Sequence, residues 1–303
     1  MKFCSRLCLV FTLATAGFCH IAAAQELVPR AYWPTPNGTN VFVLAYQNSS
    51  GDIVTDPSLP VVGVESDIDF LQLSYQRTFS LKGRTAALQL SLPYSRGDTE
   101  GFVENEFRQR HVSGVADTRL RLAVNLKGAP TMDVAGFQAL RQDPRPIVGA
   151  SILLQAPTGK YEADKVLNIG TNRWAIKPAI GAILPIRPTW LFEFEIGGWF
   201  FSDNDDFVGE TREQDPVLST EFHLVKRFRP GLWASLDANF YVGGRTSVGD
   251  VESDNLQRNS RVGATIVFPI TRGHALRGSF STGAVTETGG DFDIFSLSYI
   301  RIW

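Results

Sequence analysis

The sequence is dominated by segments of about ten residues in which apolar and polar side chains alternate with a period of two. The clearest runs from Trp190 to Phe201, where large apolar side chains share one face and Glu193 and Glu195 share the other. A period of two places successive side chains on opposite faces of a β-strand. Many such segments, separated by turn residues, are the sequence signature of a transmembrane β-barrel, with apolar side chains toward lipid and polar ones toward a wet lumen.

The alternation predicts about twelve antiparallel strands and an all-β, up-and-down barrel. In the second strand the alternation slips between Phe70 and Leu71, which predicts a β-bulge there. The predicted strands are 39–47, 66–79, 84–95, 114–126, 147–157, 171–184, 188–202, 214–228, 230–243, 257–269, 272–285 and 290–303.

The connections between these strands are alternately short and long. Tight turns on the periplasmic side and long external loops are typical of outer-membrane barrels, and an even strand count places both termini in the periplasm. The stretch 127–146 is a long connection on the turn side, and its centre predicts a small helix between Pro130 and Pro144. This helix would cover the periplasmic mouth, dock a partner or serve as a simple connection. The long polar loops are predicted at 48–65, 96–113, 158–170, 203–213 and 244–256.

The two ends of the sequence point to export and to the cell outer membrane of a Gram-negative bacterium. Lys2 and Arg6, an apolar run and Ala22–Ala24 form a Sec-type signal peptide, with cleavage expected before Gln25. We therefore expect a cleaved signal at 1–24, an N-terminal periplasmic segment at 25–38 and a barrel at 39–303. The last strand stops on Trp303, which resembles the signal that delivers such barrels to their assembly machinery, so that machinery and outer-membrane lipid are the expected partners.

Composition excludes several other classes of protein. All three cysteines lie in the predicted signal, so disulfide and thiolate chemistry are excluded from the mature chain. A formal net charge of −2 does not favour a nucleic-acid partner. The alternative fold is a soluble secreted β-sandwich or β-barrel with the apolar face as its core. The two acids among the aromatic residues of the Trp190 segment disfavour it.

The inward-facing charges divide by strand and are candidates for the lumen or its constriction. They permit two readings: a transverse field that orients passing solutes, or an ion-pair network that fills a narrow lumen. Two inward aromatic residues, Trp233 and Tyr241, are candidates for stacking on solutes or for packing of the wall. The acidic candidates are Glu193, Glu195, Glu221 and Asp237, and the basic ones are Arg119, Arg121, Arg173, Lys177, Arg261 and Arg277.

No pattern in the sequence predicts a metal, a cofactor or an enzyme. The histidines of the mature chain lie on separate segments without a neighbouring ligand at fixed spacing. His111 and Ser113 share a strand face with the local spacing of outer-membrane phospholipases, a short match that leaves a hydrolase at the external rim as an alternative. The acidic stretch 203–206 is read as a solvated loop, although its oxygens suit Ca²⁺.

One central stretch resembles a known family. Residues 155–159 read Gln-Ala-Pro-Thr-Gly, and residues 168–174 read Asn-Ile-Gly-Thr-Asn-Arg-Trp. This pattern resembles the transporter family of outer-membrane β-barrels named for the meta-pathway of phenol degradation, and the resemblance runs through most of the mature chain. It implies a transport role and supplies no catalytic residues.

We therefore expect a channel for small solutes, including hydrophobic or aromatic compounds. A hydrolase or a structural barrel plugged by its own charges are the alternatives. Within the motif, we expect Asn168 and Asn172 to bond exposed backbone at the rim, and Arg173 to face the lumen as a constriction or salt-bridge residue.

Overall fold

The computed structural model describes residues 27–55, 61–103 and 105–303, so the predicted signal peptide at 1–24 lies outside the described residues. Within these ranges the chain forms strands and one helix, α1 (Val134–Gln142). The strands are β1 (Asn40–Val54), β2 (Val61–Leu81), β3 (Arg84–Val103), β4 (Glu106–Val115), β5 (Thr118–Lys127), β6 (Ile147–Ala156), β7 (Ala175–Arg187), β8 (Trp190–Phe201), β9 (Asn204–Phe207), β10 (Glu210–Gln214), β11 (Val217–Arg229), β12 (Leu232–Gly243), β13 (Thr246–Val248), β14 (Val251–Glu252), β15 (Gln257–Thr271), β16 (His274–Val285) and β17 (Gly289–Ile302).

Twelve of these strand positions close into one antiparallel barrel. Each barrel strand pairs with the next barrel strand along the chain, so that β8 pairs with β11 and β12 with β15. The ring closes where β1 pairs with β17, from Val41 opposite Ile302 to Val54 opposite Gly289. β4 and β5 occupy one position, because both pair with β3 and are separated only at Ala116 and Asp117. The predicted all-β, twelve-stranded barrel is therefore confirmed.

The outer face of the barrel is apolar. Along β3 the outward side chains Leu88, Leu90, Leu92 and Tyr94 are each more than 40% exposed, and similar rows follow the other strands. A contiguous apolar surface of this extent is abnormal for a soluble monomer and fits a wall that faces hydrocarbon. Among the described residues, no helix is long and apolar enough to cross a membrane.

The first strands are longer than the alternation predicts. The stretches predicted as loops 48–65 and 96–113 contain the paired ends of β1, β2, β3 and β4. Polar cross-strand contacts hold these ends, such as Asn48 Nδ2 donating to Asp67 Oδ1 at 2.8 Å. The alternation of apolar and polar residues could not predict these strand ends. They extend beyond the lipid-facing part of the barrel, where strands pair through their backbones without needing apolar side chains.

The bulge predicted at Phe70 and Leu71 is wrong. Both residues pair without interruption, and the irregularity in this strand lies between Val62 and Glu65. The sequence suggests a slip because Phe70 is an apolar residue on the inward face and lines the lumen. Neighbouring outward positions such as Asp67 are polar.

Helix α1 closes the end of the barrel where short turns join the strands, called the turn end below. Asp133 starts the helix by accepting a hydrogen bond from Gly136 N at 2.8 Å, as an N-cap aspartate does. The predicted helix between Pro130 and Pro144 is thus confirmed. Its Leu140 is buried in a cluster with Ile183, Leu191 and Val225 of the barrel wall.

At the opposite end, the loop end, two connections form a small external sheet. β9, β10, β13 and β14 pair in the order β14-β13-β10-β9. Phe207 and Val248 form its buried core, and Val166 of the 158–170 loop packs against them. The loop end is therefore covered by ordered structure rather than by free loops.

Candidate functional site: the barrel lumen

Residues 27–38, called the N-terminal segment below, lie inside the turn end of the barrel. The sequence predicts them as a periplasmic segment before the barrel, whereas the structure places them between its walls. Two carboxylates of the wall accept hydrogen bonds from the segment's backbone: Glu221 Oε2 from Val28 N at 3.3 Å and Glu193 Oε2 from Arg30 N at 2.6 Å. Inward-facing glutamates of the wall therefore bind the backbone of the N-terminal segment, which forms no β-strand.

Tyr32 fixes this segment most tightly. Its ring lies over a cross-strand pair of glycines, Gly149 and Gly181, and an added Cβ would come within 2.2 and 2.5 Å of the ring. The hydroxyl donates to Glu195 Oε2 at 2.6 Å and bonds Ser151 Oγ at 3.0 Å. The two glycines thus form a depression in the wall, and the polar groups around it orient the ring.

Trp233, a predicted lumen aromatic, contacts this segment. The Arg30 guanidinium lies 4.4 Å from the ring centroid of Trp33 and 5.2 Å from that of Trp233. Cation–π contacts of this kind add to the hold of the segment when they are shielded from water. Trp233 therefore contributes to closing the turn end.

A chain of ion pairs crosses the lumen wall above the segment. Lys177 Nζ lies 3.0 Å from Glu195 and 3.1 Å from Glu221. His223 Nδ1 lies 2.8 Å from Asp237 Oδ1, and Arg121 lies 3.4 Å from Glu195. Opposite charges thus neutralise one another across neighbouring strands, which is the arrangement of the ion-pair reading.

A cavity of about 280 Å³ lies beside this network. Apolar side chains including Phe70, Leu153 and Trp199 share its lining with polar and charged ones. Such a mixed lining suits a small solute with both an apolar and a polar part. The predicted lumen residues that line the cavity are Arg119, Arg121, Lys177, Glu195, Glu221, Asp237 and Arg277.

The remaining predicted lumen residues have other surroundings. Arg261, 1% exposed, donates to the carbonyls of Ser281 and Phe292 within the wall. Tyr241, also buried, accepts a hydrogen bond from Asn239 Nδ2 at 2.8 Å. Arg173 precedes β7, which begins at Ala175 rather than at 171, so it belongs to the loop and not to the strand.

Asp117 organises the family-like motif at the loop end. Its carboxylate accepts hydrogen bonds from Gly159 N at 2.8 Å, from Thr171 N at 2.9 Å and Oγ1 at 2.6 Å, and from Gln155 Nε2 at 3.2 Å. Gly159 and Gly170 touch so closely that a Cβ on Gly170 would lie 2.7 Å from Gly159. Asp117 is not among the residues predicted from the sequence, because it lies within the predicted strand 114–126, whereas the structure breaks the strand at this position.

The loop 158–170 crosses the loop end of the barrel. Leu167 packs against a buried cluster that contains Ile53 and Phe292, and Ile169 lines the cavity. Asn168 bonds backbone atoms of the same loop, as predicted. Asn172 instead donates to the side chain of Asn204 at 2.8 Å.

The candidate catalytic and metal residues form no complete site. His111 Nδ1 lies 2.8 Å from Asp98 Oδ1 on the exposed β3–β4 wall. In the described structure, no hydrogen bond joins Ser113 to His111. Among the described residues, no three His, Cys, Asp or Glu side chains converge on a metal position.

A closed barrel with an apolar outer wall and a polar lumen defines a transmembrane β-barrel. The family described as "Putative MetA-pathway of phenol degradation" matches residues 45–292, and the chain belongs to this family. The resemblance found in the central motif is thereby confirmed.

Solved structures show the same fold. The COG4313 outer membrane channel from Pseudomonas putida F1 has a TM-score of 0.78 and 23% identity, over 92% of this chain and 100% of that chain. The transport unit of the autotransporter AIDA-I from Escherichia coli has a TM-score of 0.52 and 10% identity, over 97% and 95%. Comparison with curated proteins gave no match.

Proposed function

We propose that the protein is an outer-membrane channel for small solutes, held shut at its turn end by the N-terminal segment. One observation carries the proposal: a segment without strand structure occupies the lumen and is bound there by three wall carboxylates. A purely structural barrel needs no such insert. The similar Pseudomonas putida protein is called an outer membrane channel, which supports the same function.

The cavity supports a solute class of small amphipathic compounds, including aromatic ones. Phe70 and Trp199 offer ring surfaces, and the charged network beside them offers hydrogen-bonding partners. The proposal includes no catalytic step. It also places both termini at the periplasmic side, since the turn end carries the N-terminal segment.

Conductance of the refolded protein in a planar bilayer tests this function. We expect the mature chain to open rarely, and a variant without residues 27–36 to give frequent and larger steps, because its turn-side mouth has lost its insert. Refolding of both proteins is checked by gel migration before and after boiling. A correctly folded deletion variant that passes no more current than the mature chain, and no solute in a liposome-swelling assay, would show that the lumen is not a channel.

A further inference from the structure

Two arginine side chains lie buried at the loop end, outside the lumen cavity. Arg173 in the motif loop is 3% exposed, and Arg212 on β10 of the external sheet is 2% exposed. Each guanidinium lies over an aromatic ring, 4.4 Å from the centroid of Phe201 for Arg173 and 5.6 Å from that of Phe207 for Arg212. The rings cover one face of each guanidinium and leave its N–H edge available for an acceptor.

Some of these N–H groups are buried without an acceptor. Arg173 donates from one terminal nitrogen to Gln214 Oε1, while its Nε and other terminal nitrogen are buried without a partner. Nε of Arg212 is likewise buried and unpartnered. Within the described part of the chain, neither arginine has a carboxylate within 4.0 Å. The charges of Asp117 and Asp203 favour the Arg173 cation from a greater distance. Buried cations without a directly paired anion are unusual in folded proteins.

The nearest polar groups are already engaged. The carboxylate of Asp117 is filled by backbone and side-chain donors of the motif, as described above. The hydroxyl of Tyr161 donates to the Asp206 carbonyl and accepts from Asn204 Nδ2, both at 2.8 Å. Asp117 therefore favours the Arg173 cation through its charge alone, without a hydrogen bond to the guanidinium group.

Burial disfavours the charged form of both arginines. Burial lowers the pKa of Arg173 and the nearby charge of Arg212 lowers it further, whereas burial lowers the pKa of Arg212 to about 10. Both shifts mean that the surroundings disfavour the cations. A bound anion would remove this penalty from both residues at once.

We propose that Arg173 and Arg212 form a binding site for a small oxyanion, a carboxylate or a phosphate, beneath the external sheet. Guanidinium groups present planar pairs of donors that match the oxygens of either group. The burial of both residues limits the ligand to a small one. The site does not depend on the proposed channel function, because neither arginine lines the lumen cavity.

Isothermal titration of the refolded, full mature chain in chloride buffer tests the site, with sodium benzoate and inorganic phosphate as separate probes. We expect saturable binding of at least one probe, weakened about tenfold or more in Arg173→Gln and in Arg212→Gln, since each removes a charge-assisted donor pair. Arg245→Gln is the matched control, because this external arginine already pairs with Glu252 at 2.6 Å. Binding of benzoate alone identifies a solute carboxylate as the ligand, and binding of phosphate alone identifies a phosphate.

Absence of binding by both probes, or binding that neither variant weakens, would overturn the proposal. A measurement on the unaltered chain covers the case in which a variant fails to fold. Amide hydrogen exchange in β9 and β10 should slow when the bound probe is present and not at equal ionic strength of chloride. Equal slowing in chloride would rule out an oxyanion site.

Discussion

At the scale of single residues, the inward acids are anchors as much as they are lining. Glu193, Glu195 and Glu221 each accept a hydrogen bond from the N-terminal segment. The alternation in sequence predicts that these side chains face inward, because their strands keep a period of two. It could not predict what they bind, because the segment has no periodic pattern and its contacts span 163 and 193 residues of sequence.

A methyl group at Gly149 should unseat the N-terminal segment. Its carbon would lie 2.2 Å from Tyr32 Cδ1, so the ring must leave the depression, at a cost on the order of 1–3 kcal/mol for overpacking. Gly149→Ala should therefore raise the frequency of open steps in a planar bilayer. Gly278→Ala is the matched control, since a Cβ there meets only Ile266 at 3.9 Å. Identical open frequencies in the two variants would contradict the role of Tyr32.

At the scale of elements, one buried carboxylate holds the loop 158–170 in place. This is the carboxylate of Asp117, which lies in the break between β4 and β5. The sequence identified the loop, its glycines and Asn168, because these residue types have strong local preferences. Arg212 was missed, since its strand resembles a polar connection and only Phe207 and Val208 hint at a small apolar core. The polar ends of β1–β4 were predicted as loops for a related reason. Their strands pair through the backbone, and polar side chains give no alternating pattern that would predict this pairing.

Loss of the Asp117 carboxylate should release this loop. Asp117→Ala leaves the amides of Gly159 and Thr171 without their acceptor, which destabilises the loop by about 2–4 kcal/mol. We expect trypsin to cut the folded variant after Lys160 and Lys165 much faster than the unaltered protein, as followed by mass spectrometry. Asp98→Ala removes a carboxylate that bonds only the exposed His111 and should leave both cleavage rates unchanged. Equal rates in all three proteins would mean that other contacts hold the loop.

At the scale of the whole molecule, the ring of strands leaves few unpaired backbone groups, which is the condition for stability in lipid. The same condition explains why fold class was readable from sequence: every strand must repeat one inside–outside pattern. The contacts inside the lumen follow no such repeat, because they depend on which side chains of distant strands face one another.

Removal of β17 should abolish the barrel rather than weaken it. Without residues 289–303, both β1 and β16 lose a paired edge along their length. The complete mature chain should migrate differently on a gel before and after boiling in detergent, whereas the shortened chain should give one position only. A shortened chain that still shifts on boiling, or a complete chain indifferent to boiling, would contradict the closed ring.

The pairing of β1 with β17 also dictates an order of events in time. The barrel closes only when β1 pairs with β17, so a chain that lacks β17 cannot close. Because the two strands are far apart in the sequence, this pairing forms slowly. Until then β1 holds an open edge, ready to pair with any other available strand. Such a chain gains from a catalyst that shields or templates that edge, which gives the expected recognition of the strand ending in Trp303 by the barrel assembly machinery a kinetic purpose.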